Sequence, residues 1–336
     1  MSRFIARNRP DWDELESLVR RARKSPRRLS PEERSRLDIL YRRTTVHLAQ
    51  VATRTTDARL IAYLNDLAAS AHSLIYLPPR QSALQGAGRF LAEGFARMIA
   101  RRWRFHAASA VLLIAGGLLG YLAAMSDPLA AYALMMPGDP RSPGSTPEQL
   151  LEVLRGGREQ SSGEKFAFAS FLFGHNLQVG ILSMAVGVLG GVFTTVLILY
   201  NGLMLGDFIA IHHRAGIHSE MWAWLLPHGI TELGAIVLFG GIGLSLARAV
   251  ISPGLLSRAE SLKEAGVDAG RTGIGAGLML VAAAIIESYV RQSHLSTSAR
   301  LAFAGGTALF WAVYIAHGFR CERLRANSPA AVPRTG

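Results

Sequence analysis

The feature that most constrains this chain is a run of twenty residues, 106–125, that contains no Asp, Glu, Lys or Arg. As an α-helix, a run of this length crosses the ~30 Å hydrocarbon core of a bilayer. A helix also satisfies its own backbone hydrogen bonds, which lipid cannot do. The composition agrees, because 50% of the residues are hydrophobic and only 18% are charged, whereas soluble domains usually have about a quarter charged. We therefore predict an integral membrane protein.

Further apolar segments predict a polytopic, all-α membrane helical bundle with an N-terminal soluble helical domain. The later spans are predicted at residues 177–200, 221–246, 272–290 and 301–319. Between them, the ten-residue apolar piece 202–211 is too short to cross a bilayer alone at 1.5 Å per residue. We therefore predict a broken or re-entrant element near 201–229, with Pro227 and Gly229 as its broken-helix positions.

The positive charge is concentrated at the front of the chain. Residues 1–104 contain 21 Lys and Arg against 10 Asp and Glu, a net +11 out of +12 for the whole chain. Apolar residues recur there with helical spacing, and Ser30-Pro31-Glu32-Glu33 is a helix start signal. Asp11 is a second candidate N-cap. This pattern predicts a basic cytoplasmic helical bundle over residues 1–104.

The remaining predicted boundaries follow from charge. The membrane domain is residues 105–320 and contains five or six helices. It includes an external loop at 127–165 with a short helix at 147–155, and residues 321–336 form a basic disordered tail. Cytoplasmic segments of membrane proteins are enriched in Lys and Arg. The N-terminus, the 248–271 segment and the C-terminus are all basic, and six crossings rather than five place all three in the cytoplasm. The predicted location is the cytoplasmic (inner) membrane of a bacterium.

Polar side chains at membrane depth are the second informative feature, because each is costly in lipid unless another group satisfies it. His228 and Glu232 are four residues apart, so a helix places them on one face. Glu287 lies near the end of an otherwise apolar span and needs a hydrogen-bond donor. The predicted intramembrane polar cluster consists of Asn176, Asn201, His228, Glu232 and Glu287.

Three explanations for this cluster stay open. Its members could join helices by hydrogen bonds, line a path for a proton, ion or small solute, or ligate a metal and carry out acid–base chemistry. The His-x-x-x-Glu spacing is not the His-Glu-x-x-His of zinc proteases. His212, His213 and His218 lie at an expected membrane interface, where titrating surface histidines are commoner than ligands.

The sequence has no Gly-rich phosphate loop, no Gly-x-Ser-x-Gly elbow and no paired catalytic carboxylates. Cys321 is its single cysteine, which excludes a Cys-rich zinc site. We therefore predict no catalytic residues, no metal site, no cofactor and no enzymatic activity.

Several motifs together resemble a known family. They are Trp12-x-x-Leu15 after Phe4 and Arg7, His175-Asn176, Tyr200-Asn201-Gly202-x-x-x-Gly206, Leu226-Pro227-His228-Gly229-Ile230-x-Glu232-Leu233, and Ala284-x-x-Glu287. Their order and spacing resemble the stage II sporulation protein M family of bacterial and archaeal membrane proteins. The resemblance implies a role in assembling envelope complexes, beside partners such as MoxR-type AAA ATPases.

The leading functional hypothesis is thus a membrane scaffold or regulator that recruits soluble and envelope proteins. The alternative is a transporter or channel that uses His228, Glu232 and Glu287. Expected partners are membrane lipids and proteins, including a MoxR-type AAA ATPase system by resemblance, but not nucleic acid. A homo-oligomer is left open.

Overall fold

The computed structural model describes residues 2–24, 29–55, 57–76, 83–135, 140–156, 161–291 and 293–327. Within these ranges every regular element is a helix, as the sequence predicts. The helices form two compact units, Met1–Gly86 and Ala87–Gly336. The structure thus divides the chain earlier than the predicted boundary at residue 104.

The N-terminal unit contains three long helices, α1 (Ser2–Lys24), α2 (Pro31–Arg54) and α3 (Ala58–Tyr76). The predicted start of α2 is confirmed, since the Ser30 hydroxyl accepts a hydrogen bond from the Glu33 amide while the Glu33 carboxylate accepts one from the Ser30 amide. Asp11 does not cap α1, which begins at Ser2 and continues through Pro10. Phe4 packs on the core of the bundle, which offsets the one backbone bond that Pro10 cannot make.

The core of this unit is built from fully buried side chains of all three helices, including Trp12, Leu15, Leu40 and Leu64. Each such side chain contributes about 1.5–3 kcal/mol by leaving water. The Trp12 indole N–H donates to Nδ1 of His47 at 3.1 Å. The unit therefore has a hydrophobic core of its own.

The membrane unit begins with short segments that precede the first span. They are α4 (Ala83–Arg89), which crosses the division between the units, a π-helical turn (Phe90–Gly94) and α5 (Phe95–Arg101). Phe95 and Ile99 belong to the largest apolar core of the membrane unit. Arg97 pairs with Glu322 at 2.9 Å. These contacts explain why residues 87–104 belong with the membrane helices.

Six described helices are long and apolar enough to cross a membrane, which agrees with the predicted six crossings. They are α6 (Trp103–Ser126), α9 (Ser162–Ala185), α10 (Val192–Arg214), α11 (His218–Ile251), α12 (Arg258–Ile285) and α13 (Thr297–Ala326). A 3-10 turn (Val186–Leu189) extends α9, and a π-helical turn (Ile286–Arg291) extends α12. Between α6 and α9 lie α7 (Pro128–Leu134) and α8 (Pro147–Arg155), so the short helix predicted at 147–155 is confirmed.

The predicted path between residues 177 and 229 is wrong in two respects. Residues 177–200 are not one span, because the chain turns at Gly190 and Gly191, where φ is 88° and 80°. Only glycine adopts such angles freely. The piece 202–211 is the continuation of the full-length helix α10.

The predicted break at Pro227 and Gly229 is also absent, since α11 runs through both residues without interruption. Both are buried inside the membrane unit, where neighbouring helices support a proline-containing helix. The chain instead turns between Arg214 and His218, at Gly216. At the C-terminal end, α13 continues to Ala326, so the first six residues of the predicted tail 321–336 are helical. Residues 328–336 lie outside the described residues.

Candidate functional site

Three helices bring polar side chains together inside the membrane unit. His228 and Glu232 are one turn apart on α11, as their spacing predicts. Glu287 lies in the π-helical turn at the end of α12, and Asn176 lies on α9. The turn that carries Glu287 packs against both α9 and α11, which makes a shared site possible.

The side chains of this cluster are close to one another. Nε2 of His228 lies 3.9 Å from Oε1 of Glu287, and one donor atom from each of His228, Glu232 and Glu287 lies within 4.8 Å of the others. His228 and Glu287 are 3% and 6% exposed, while Glu232 is half-buried. The Asn176 side chain lies within hydrogen-bonding reach of Glu232. We call these four residues the polar cluster.

The π-helical turn explains the position of Glu287. A π turn contains one residue more than an α turn, so it changes the direction in which the following side chains point. Single π turns inside α-helices are frequent at functional sites. The adjacent Ser288 is fully buried as well. The backbone irregularity therefore coincides with the one glutamate that α12 brings to the cluster.

Aromatic groups lie next to the cluster and to the α11 residues beside it. The Trp224 ring meets the His228 ring edge to face, with centroids 5.4 Å apart. The Arg141 guanidinium, from the segment between α7 and α8, lies 5.5 Å from the centroid of Trp224. On another side, Trp311 of α13 donates a hydrogen bond to Thr231 at 3.0 Å. Sequence reasoning missed Trp224, although it is four residues before His228 and shares its helix face.

The cluster lies in one half of the membrane unit. His228 is ten residues from the start of α11 and 23 from its end, which is about 15 Å and about 35 Å along the helix axis. This half also contains α8, since Leu154 packs with Met221 and Leu225 near the start of α11.

The structure brings together Asn176, His228, Glu232 and Glu287 but not the fifth predicted member, Asn201. The Asn201 amide donates to the carbonyl oxygen of Leu197, one turn earlier on α10, at 2.8 Å. Pro227 and Gly229 flank His228, within a continuous helix. Among the three histidines near the α10–α11 turn, His212 is fully buried with Nδ1 2.7 Å from the Phe208 carbonyl oxygen, so it is not a surface group.

Charge determines what the cluster can do. Two ionised carboxylates side by side in a membrane interior repel each other and lose their hydration, at a cost of several kcal/mol per ion. Protons or a cation must therefore compensate part of that charge. The geometry allows proton sharing between His228 and Glu287, proton transfer through Glu232, or ligation of a cation.

The comparisons with known proteins agree with the fold. The family model described as Stage II sporulation protein M matches residues 109–291, a range that includes the whole polar cluster. The model described as Domain of unknown function (DUF8413) matches residues 2–77, within the N-terminal unit. No curated protein and no solved structure matches the chain. Because the match to the Stage II sporulation protein M model covers more than half of the 336 residues of the chain, this multi-pass membrane protein belongs to that family.

Proposed function

We propose that this protein is a scaffold or regulator of the bacterial inner membrane, whose N-terminal unit recruits soluble proteins while its membrane unit anchors them and contacts envelope partners. The observation that carries the proposal is the separate packing of Met1–Gly86. This unit has its own buried core and its own family match.

The surface of α2 supports a docking role. Ile39 and Val46 are seven residues apart, so they share one helix face, and they are 43% and 54% exposed. Arg42, which pairs with Asp38 at 3.0 Å, lies on the same helix between them. Protein interfaces commonly have an apolar centre with a polar rim, and this face of α2 offers both kinds of side chain.

The distribution of charge supports a cytoplasmic position for the N-terminal unit. An even number of crossings places both ends of the chain on the same side, and both ends are rich in arginine. Such segments stay in the cytoplasm. The partners are then soluble cytoplasmic proteins, and the family resemblance makes a MoxR-type AAA ATPase the first one to test.

Photo-crosslinking in living cells tests the proposal. A photoreactive amino acid replaces Ile39 or Val46 in the full chain. The matched controls carry it at Val111 or Ile114, which are 65% and 69% exposed on the membrane-spanning helix α6. We expect discrete protein adducts from positions 39 and 46, and lipid adducts from 111 and 114. An absence of protein adducts from both positions of α2, with the chain at normal abundance, contradicts docking through this face.

A second candidate function is transport of a proton, an ion or a small solute. The buried polar cluster favours it, because ionisable residues inside a membrane frequently mark ion pathways. Reconstituted into vesicles, a transporter would carry a flux that Glu232→Gln abolishes without lowering the amount of protein. A wild-type flux equal to that of protein-free vesicles excludes this candidate.

A further inference from the structure

The possible ligand atoms of His228, Glu232 and Glu287 are almost as close together as the ligands of a bound metal ion. Because one atom each of His228, Glu232 and Glu287 lies within 4.8 Å of the other two, a common point lies at most about 2.8 Å from all three, compared with zinc–ligand bonds of ~2.0–2.2 Å. Small side-chain rotations close that difference. The sequence spacing alone predicts no metal here, because it matches no linear zinc motif.

The charge balance is compatible with a divalent ion. Two carboxylates and a neutral imidazole around a divalent cation have a net charge of zero, which is the least costly state inside a membrane. The competing arrangement needs two protons, one on His228 and one on a glutamate. Both arrangements are neutral overall, so a binding measurement must separate them.

The donor types select the class of metal. Calcium and magnesium prefer sites built from oxygen atoms alone, whereas zinc accepts both imidazole nitrogen and carboxylate oxygen. Zinc-bound side chains are commonly oriented by hydrogen bonds from further groups. The Asn176 side chain, within hydrogen-bonding reach of Glu232, can act as such a group.

We propose that His228, Glu232 and Glu287 bind a divalent transition-metal ion of the zinc class within the membrane unit. The ion links α11 to the π-helical turn at the end of α12. Three protein ligands leave a fourth tetrahedral position for water or another ligand. This proposal is independent of docking by the N-terminal unit, because it concerns other residues and is measured without a partner.

Zinc binding by the purified full-length protein tests the proposal. The protein in detergent is stripped with a chelator, dialysed against zinc chloride with excess magnesium, and analysed for zinc per chain by mass spectrometry. The variants are Glu232→Gln and Glu287→Gln, which keep the side-chain shape. The matched controls are Glu264→Gln and His218→Gln, at exposed positions of the same unit.

We expect about one zinc ion per chain in the wild type and both controls, and zinc affinity at least tenfold lower in both glutamine variants. Asn176→Leu should weaken binding about 10- to 100-fold, as expected for a residue that orients a ligand. A wild type that binds no zinc, a Glu287→Gln variant that binds like the wild type, or a loss in His218→Gln overturns the proposal.

A measurement on the wild type alone covers the case in which a glutamine variant does not fold. The X-ray absorption spectrum of the bound zinc should show nitrogen and oxygen neighbours with a single imidazole. Two or more imidazoles, or a sulfur neighbour, would place the ion elsewhere and overturn the assignment.

Discussion

The close contact between α6 and α10 gives the sharpest prediction about stability. Gly116 and Gly120 of α6 face Gly202 and Gly206 of α10, and the helix backbones touch there. A Cβ atom on Gly206 would overlap the carbonyl oxygen of Gly117 and lie 2.6 Å from the amide nitrogen of Tyr121. Both obstacles are backbone atoms, so no side-chain rotation can relieve them.

Gly206→Ala therefore forces the two helices apart. Real Cβ atoms essentially never approach another heavy atom within 3.0 Å, so the gap between the helices must open by roughly 1 Å. A 0.5–1 Å gap already forfeits a quarter to a half of each dispersion contact along the face. Overpacking of this kind costs about 1–3 kcal/mol. Because backbone is met on two sides, we expect about 3 kcal/mol, a factor of ~100 in the ratio of folded to unfolded protein.

The assay is unfolding of the purified protein in mixed micelles with increasing mole fraction of dodecyl sulfate, followed by circular dichroism. Gly306→Ala on α13 is the matched control, because a Cβ there meets nothing within 4 Å, and the better helix propensity of Ala makes it neutral or slightly stabilising. If Gly206→Ala unfolds at the same point as Gly306→Ala, the backbone contact between α6 and α10 does not exist as described.

Three further predictions concern other parts of the chain. Burial lowers the pKa of His47 below its ordinary value; Asp11 partly opposes this shift and Arg43 adds to it. As the pH falls, the unfolded chain therefore binds a proton at His47 before the folded chain does. The stability of residues 1–86 to urea should then decrease as the pH falls below about 6.5. His47→Gln should flatten this dependence, and an unchanged slope would contradict it. Glu232→Leu should lower the amount of protein in the membrane, because it removes the carboxylate beside the half-buried Asn176 amide, at a cost of about 1 kcal/mol. Glu264→Leu, at an exposed position, should not lower it. Equal amounts of the two variants would refute the contact. Cys321, on the cytoplasmic side, should not react with an impermeant thiol reagent applied to cells with a permeabilised outer barrier. A cysteine in the external loop, Glu148→Cys in a Cys321→Ser background, should react. The opposite pattern would mean that the topology is inverted.

The local part of the fold could be predicted from sequence because it depends on neighbouring residues. The cap at Ser30 and the helix over Pro147–Arg155 are examples, since a capping side chain and its partner are three residues apart. The turn at Gly190 and Gly191 could not be predicted, because hydropathy is continuous across it. The path through Pro227 was also missed, since tolerance of a proline depends on the helices packed around it.

The same distinction holds for the polar cluster. The pairing of His228 with Glu232 follows from helical periodicity, and the need of Glu287 for a partner follows from the cost of a charge in lipid. The position of Asn201 outside the cluster does not follow from sequence. It depends on the face of α10 that packs on α6 through Gly202 and Gly206, and the Asn201 side chain bonds its own helix. The π-helical turn at Glu287 has no sequence signature.

Removal of the N-terminal unit shows whether that unit recruits soluble proteins. Native membranes with the full chain, or with a chain lacking residues 2–86, are cross-linked, and the proteins bound to each are quantified by mass spectrometry at matched abundance. If the unit recruits soluble proteins, soluble cytoplasmic partners should fall at least tenfold when it is removed, while membrane-bound partners remain. Recovery of the same soluble proteins in equal amounts from both chains would contradict it.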